Sequence, residues 1–313
     1  MQWHERVGRR LKLRDLNILL AVVKHGSMAK AAADLGMSQP AVSKAISDLE
    51  NVLGVRLLDR GARGVEATTY GRALVKRSLV IFDELKQGVR ELEGLADPTV
   101  GEIRIGSSEA MTAGLLPAVI EQMSRTHPGV VFNISQALFA SAHYRELRDR
   151  NIDLLLGRVF TPLEEDDLDV EPLFDDEMVV VAARRSLLFK KRRLALADLA
   201  KHRWILPPAD TPAAPLATAI FREYGLEQPR APVTTLSIHV ALKLVAGDRF
   251  IALLPWSVMR FNPRTSVAVL PIRLPTQRRT VGIITLKNRL LSPIAGAFLA
   301  CARDVLSKAR LAP

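Results

Sequence analysis

The sequence predicts an α/β protein in two parts: a winged helix-turn-helix with a long linker helix, then a larger domain of alternating strands and helices. Three observations carry this. Residues 27–53, SMAKAAADLGMSQPAVSKAISDLENVL, read as two short helices around a tight polar turn. Residues 69–95 read as one long amphipathic helix. From residue 101 onward, short apolar runs alternate with helical stretches, the pattern of a sheet with crossover helices.

The elements follow in order. Leu16, Leu19, Leu20 and Val23 share one face of a first helix over residues 14–24. Ser27 is placed to cap the next helix, whose Ala29, Ala31, Ala32 and Ala33 allow close approach of a neighbour. Gly36 ends that helix, since glycine accepts the left-handed conformation there. Ser38 caps the third helix and Pro40 sits in its first turn, where the missing N–H is not needed. Val42, Ile46, Leu49 and Leu53 point to the core, and Gln39, Ser43, Lys44, Ser47 and Asp48 form the opposite face. Gln and Lys reach base edges or phosphates, and Ser reaches either, so this face suits a duplex groove. A plain helical hairpin in an all-helical core is the other reading of these helices.

After Leu53 the segment GVRLLDRGARGVEATTYG predicts a small hairpin bearing Arg56, Arg60 and Arg63, with Arg72 just beyond. A basic hairpin beside a groove-reading helix reaches the flanking backbone or minor groove. Thr68 is expected to cap the long helix. Its Leu74, Ile81, Leu85, Leu92 and Leu95 make a stripe that a second copy of the chain would cover; packing on its own domain is the alternative. Two copies would place two reading helices on two half-sites of a palindrome.

Charge agrees. The 313 residues carry 44 Lys and Arg against 33 Asp and Glu, a net charge of +11, which suits a polyanion. The single cysteine, Cys301, excludes a disulfide within the chain and a thiolate zinc site. Met1–Arg14 is polar and basic, and no window is apolar for the length of a membrane span, so a cytoplasmic protein with no membrane partner is expected.

The segment Ser27-Met28-Ala29-Lys30-Ala31-Ala32, Leu35, Ser38-Gln39-Pro40-Ala41-Val42-Ser43, Ile46, Leu49-Glu50, Leu53-Gly54, Leu57-Leu58-Asp59-Arg60, Thr68 and Gly71 resembles the signature of LysR-type transcriptional regulators. It departs at Ala29, where the family usually has Thr or Ser. The resemblance implies a dimerising linker helix, a ligand-sensing C-terminal domain, and homodimers or homotetramers that bend promoter DNA and contact RNA polymerase. Carried onto this chain, the DNA-reading positions are Gln39, Pro40, Ser43 and Lys44, with Arg60 and Arg63 near the hairpin. The capping residues Ser38 and Thr68 complete the expected DNA-binding set.

Ala96-Asp97-Pro98-Thr99 breaks the long helix. The expected domains are therefore residues 1–70, the linker helix 71–97, and an effector domain 98–313. In that domain strands are expected at 101–106, 130–135, 153–156, 177–183, 204–206, 251–254 and 281–286, with helices between, as in a parallel sheet. Two α/β lobes account for this. The resemblance places lobe one at about 98–172 and 273–313 and lobe two at about 173–272, an arrangement resembling periplasmic solute-binding proteins with the ligand between lobes. Ligands in open α/β sheets sit beyond the carboxyl ends of strands. That nominates Ser107 and Ser108, with Glu109, after the first strand, Leu138 and Phe139 after the second, Arg158 after the third, and Pro208 in lobe two.

A ligand-responsive transcription factor is the leading expectation. An enzyme or a plain solute-binding protein fused to a DNA-binding domain is the alternative. An enzyme needs a triad, a metal site or a phosphate loop, and the chain shows no GxSxG, no GxGxxG after a strand, and no histidine pair at ligand spacing. Neither a cofactor nor a metal is expected.

Overall fold

The computed structural model describes residues 10–61, 64–97, 99–136, 140–159, 166–211, 213–262, 265–274 and 279–309. The chain forms two compact units, Met1–Val89 and Arg90–Pro313.

The first unit begins with helices α1 (Leu13–His25), α2 (Met28–Asp34) and α3 (Gln39–Leu53). Ile18, Leu19, Val22, Ala31, Val42, Ile46, Leu49 and Leu57 meet in its core. Each large apolar side chain buried there contributes roughly 1.5–3 kcal/mol. A hairpin of β1 (Leu58–Gly61) and β2 (Gly64–Ala67) follows, then the long α4 (Thr69–Ala96). Val65 donates its N–H to the Gly26 carbonyl, which ties the hairpin to the end of α1. Gly71 is fixed by crowding, because a Cβ there would stand 2.0 Å from the Leu57 carbonyl oxygen. The first turn of α4 therefore lies directly on backbone. Leu74 and Val75 join the core, but farther along Ile81, Leu85, Val89, Leu92 and Leu95 are exposed.

The second unit holds two five-stranded sheets. The first has the order β4-β3-β5-β12-β6, with β3 (Val100–Ser107), β4 (Gly129–Gln136), β5 (Leu154–Arg158), β6 (Leu168–Asp176) and β12 (Arg279–Leu286). The short α5 (Glu109–Thr112) and α6 (Leu115–Thr126) follow β3, and α7 (Ala140–Arg148) follows β4. The second sheet has the order β11-β7-β10-β8-β9, from β7 (Met178–Ala183), β8 (Trp204–Leu206), β9 (Val233–Thr234), β10 (Ile251–Pro255) and β11 (Val267–Val269). Helices α8 (Ala214–Glu223), α9 (Ile238–Ala246) and α10 (Trp256–Phe261) belong to this lobe, and α11 (Pro293–Ala309) returns to the first.

The sheets are mixed rather than parallel. β3, β4 and β5 run parallel, but β12 runs antiparallel to both β5 and β6, and β7 antiparallel to β10 and β11. The cause is topological: β6 leads out of the first sheet and β12 leads back into it. No strand is expected at 168–176 from sequence, because LDVEPLFDD carries four acids and a proline. β6 lies at the sheet edge, where Pro172 faces Gly282 beside a register shift. An edge strand tolerates a proline because its missing N–H can face away from the ladder.

One face of the first sheet packs Ile103, Ile105, Leu154, Leu156, Val281 and Ile283 with residues of α6 and α11. Leu155 and Ile284 meet Tyr144 and Leu147 on the other. Lobe two centres on Trp204, whose ring meets Phe221 edge-on at 5.1 Å and whose indole N–H donates to the Leu199 carbonyl. Beneath the first sheet lies a charge cluster. Asp153 Oδ1 accepts from Arg104 Nη2 at 2.7 Å and Arg289 Nη2 at 2.8 Å, with Arg90 Nη1 3.5 Å away. Arg90 also pairs with Glu102 at 3.1 Å, so the last turns of α4 are fastened to this unit.

Candidate nucleic-acid interface and ligand cleft

The third helix, α3, is positioned from both ends. Gly36 takes φ 61° and turns the chain between α2 and α3. The Ser38 hydroxyl accepts from Ala41 N–H, satisfying one of the donors a helix start leaves open. At the far end, Glu50 Oε1 accepts from the N–H groups of Leu57 and Leu58 at 2.7 and 3.2 Å. This carboxylate pins the start of the hairpin to α3. Val42, Ile46 and Leu49 are buried, whereas Gln39, Pro40, Lys44, Ser47 and Asp48 are exposed and Ser43 is half-buried. The polar face expected from the spacing is therefore free toward solvent within this unit.

Arg60 Nη2 donates to Ser43 Oγ at 3.2 Å, joining hairpin and helix into one basic surface. Thr68 caps α4: its hydroxyl donates to the Arg56 carbonyl at 2.8 Å and accepts from Gly71 N–H at 3.0 Å. That hydroxyl is thus engaged in local structure. Arg63 lies outside the described residues. The bracing role of Glu50 is missed by sequence reading, since a lone glutamate on a helix carries no signal of a partner seven residues away.

The second candidate site lies where β3, β4 and β5 end together and where β6 and β12 connect the two lobes. Ser107 is fully buried and its hydroxyl donates to the Ser108 carbonyl. Ser108 Oγ is shielded from solvent and has no hydrogen-bond partner. It sits above Gly157, where a Cβ would lie 3.8 Å from it. Arg158 ends β5 and points its Nη2 at Met178 Sδ, 3.3 Å away across the lobe junction. Its Nε is also shielded and unpartnered. Burial lowers the pKa of Arg158, as does the neighbouring charge of Arg279, against the pull of Asp176. Asp176, at the end of β6, accepts from Ser257 N and Oγ at 3.0 and 2.7 Å. Burial nonetheless raises its carboxyl above the ordinary value.

Glu109 spans the lobes. Its Oε1 accepts from Ile238 N–H at the start of α9, at 2.9 Å, and its other oxygen accepts from Gln136 Nε2. A carboxylate is at home there, because a helix N-terminus presents open N–H groups and partial positive charge. Of the residues nominated from sequence, Ser107, Ser108 and Arg158 share one end of the first sheet. Pro208 follows β8 in the other lobe, its carbonyl accepting from Thr211 N–H and hydroxyl. Leu138 and Phe139 lie outside the described residues. The pairing of Asp176 with Ser257 is not visible in sequence, since the two are far apart in the chain. Among the described residues no group of three or more His, Cys, Asp or Glu is placed to hold a metal, and no helix is long and apolar enough to cross a membrane.

The chain is similar to known proteins. Residues 13–72 match the family "Bacterial regulatory helix-turn-helix protein, lysR family", and residues 96–307 match "LysR substrate binding domain". The regulator GbpR of Azospirillum brasilense is 32% identical over 94% of this chain and 86% of its own length. The SDS degradation transcriptional activation protein of a Pseudomonas species is also 32% identical, over 91% of this chain and 93% of its own. Full-length CbnR, solved in complex with its target DNA, superposes with a TM-score of 0.53 at 22% identity, covering 95% of this chain and all of CbnR.

Proposed function

The chain belongs to the LysR family of helix-turn-helix transcriptional regulators, with a DNA-binding domain and an effector-binding domain, and we propose that it controls promoters in response to a small molecule held between its lobes. The observation that carries the DNA half is α3, capped at Ser38, buried through Val42, Ile46 and Leu49, and open on the face of Gln39, Pro40, Ser43 and Lys44. In this reading α3 enters the major groove, Gln39 reads base edges, and Lys44 and Arg60 hold phosphate. The Ser38 and Thr68 caps flank the same surface, and Arg63 is proposed to join them from the hairpin.

The exposed stripe of α4 is covered by the same helix of a second copy, giving a homodimer or a homotetramer. The effector contacts Ser107, Ser108, Arg158 and Pro208, and Leu138 and Phe139 are proposed as further ligand contacts on sequence grounds. It binds the two lobe arrangements unequally, which shifts the population of quaternary states and thereby DNA bending and access of RNA polymerase. The protein acts in the cytoplasm and needs no cofactor.

The test is selection of duplexes from a random library by the purified full chain, followed by titration of the enriched sequence. We expect a two-fold symmetric site, and loss of both affinity and base preference in Gln39→Ala. A wild-type chain that enriches no sequence, or a Gln39→Ala chain with unchanged selectivity, would overturn the placement of α3.

A further inference from the structure

We propose that the effector is an organic acid, and that its carboxylate closes on the Nε–Nη2 edge of Arg158. This rests on the cleft reading above. A guanidinium binds a carboxylate best through two parallel N–H bonds, and the Nε and Nη2 edge is one such fork. In Arg158 that fork is unfilled. Among the described residues Nε has no partner, and Nη2 meets a thioether, a weak acceptor. Among the described residues no carboxylate lies within ion-pair distance of Arg158. Asp176 attracts Arg158 from beyond that distance, but its oxygens are engaged by Ser257, and Asp166 is exposed. Arg279, opposite Asp176 in the β12–β6 register, adds a second positive charge.

Among the described residues the cluster therefore holds two cations and one acid at this end of the first sheet, beside Met178 of the other lobe. A withdrawn, under-paired guanidinium is costly to keep unless something negative completes it. Ser108 Oγ, the other shielded and unpartnered atom at this end of the sheet, supplies a hydroxyl for the rest of the ligand. Glu109 is not a competitor for the acid's partner, because its carboxylate is already held by Ile238 and Gln136.

The experiment uses the full chain, wild type and Arg158→Met, and follows melting temperature with paired probes at equal ionic strength. The pairs are benzoate with benzamide, succinate with succinamide, and gluconate with glucose. We expect at least one acid to raise the wild-type Tm by about 2 °C or more while its neutral partner does not. We expect Arg158→Met to lose that response and, without ligand, to melt at or above the wild-type temperature, because no pair is broken.

An unliganded Arg158→Met that melts several degrees lower would show Arg158 already paired within the fold and would overturn the proposal. Absence of any acid response in the wild type would do the same. A neutral probe that stabilises wild type and Arg158→Met alike would leave the cleft reading standing and remove the acid. If Arg158→Met does not fold, Arg158→Lys keeps the charge without the fork. It should fold and lose most of the acid response, and a retained full response overturns the assignment.

Discussion

Replacing Asp153 with Asn should destabilise the effector domain by several kcal/mol, and the cause is readable atom by atom. Asp153 is 2% exposed and faces three guanidinium groups. Arg104 reaches it with Nη2 at 2.7 Å, Nε at 3.3 Å and its backbone N–H at 2.9 Å, and Arg289, whose side chain is 0% exposed, reaches it at 2.8 Å. Asn keeps the volume but removes the charge and turns one acceptor into a donor. Breaking a buried pair from one side costs about 3–5 kcal/mol, because the partner charge stays behind uncompensated. For a domain of this size that corresponds to a Tm lower by about 10 °C. Burial pulls the Asp153 carboxyl upward, but the hydrogen bonds and charge of Arg104, with Arg289, outweigh it and hold it below the ordinary value. The stabilisation is therefore full above the unfolded carboxylate pKa of about 3.9 and is lost as pH falls through the lower folded value. Calorimetry of both proteins from neutral to acid pH tests this. A Tm for Asp153→Asn within about 1 °C of wild type at neutral pH would refute the reasoning, as would a deficit that stays undiminished below the folded pKa.

Three further outcomes are expected. Lys44→Ala should weaken binding to all duplexes alike and reduce the slope of log affinity against log salt by about one unit, measured by fluorescence anisotropy across salt concentrations. Leu85→Asp should dissociate the proposed dimer: Leu85 is 47% exposed on the part of α4 that belongs to the first unit. Sedimentation showing an unchanged assembly would exclude that seam. Glu50→Ala should strand the Leu57 and Leu58 N–H groups, cost about 1–3 kcal/mol and loosen the hairpin, seen as faster amide exchange in β1 and β2.

The helical half of the molecule was legible because its signals are local. Ser27, Ser38 and Gly36 mark helix ends through hydrogen bonds and dihedrals that span three or four residues. Val42, Ile46 and Leu49 fall on one face by spacing alone. The effector domain was legible as alternating strands and helices but not in strand direction, because β12 pairs with strands more than a hundred residues earlier. β6 was hidden by its acids and Pro172, which suit an edge and obscure a strand pattern. Ser107, Ser108 and Arg158 are nominated from strand ends, and they do lie together at one end of the first sheet. Strand ends gave no hint that Arg158 would lack a partner, that Asp176 would be taken by Ser257, or that Glu109 would reach Ile238. Those facts depend on side-chain contacts across the fold, which no local pattern encodes.

The paired ends of β6 and β12 have a mechanical consequence. The chain leaves the first sheet just after Asp176 and re-enters at Arg279, and these two residues face each other as a cross-strand pair. The chain's departure from this sheet and its return are thus gathered at one end of the β6–β12 ladder. Movement of one lobe against the other would reduce to swivelling about that pair, as a door swings on adjacent pins. A ligand held at Arg158, at the same end of the sheet as the pins, would act with a short lever on a long panel, so a small local closure would sweep the far edge of the lobe through a larger arc.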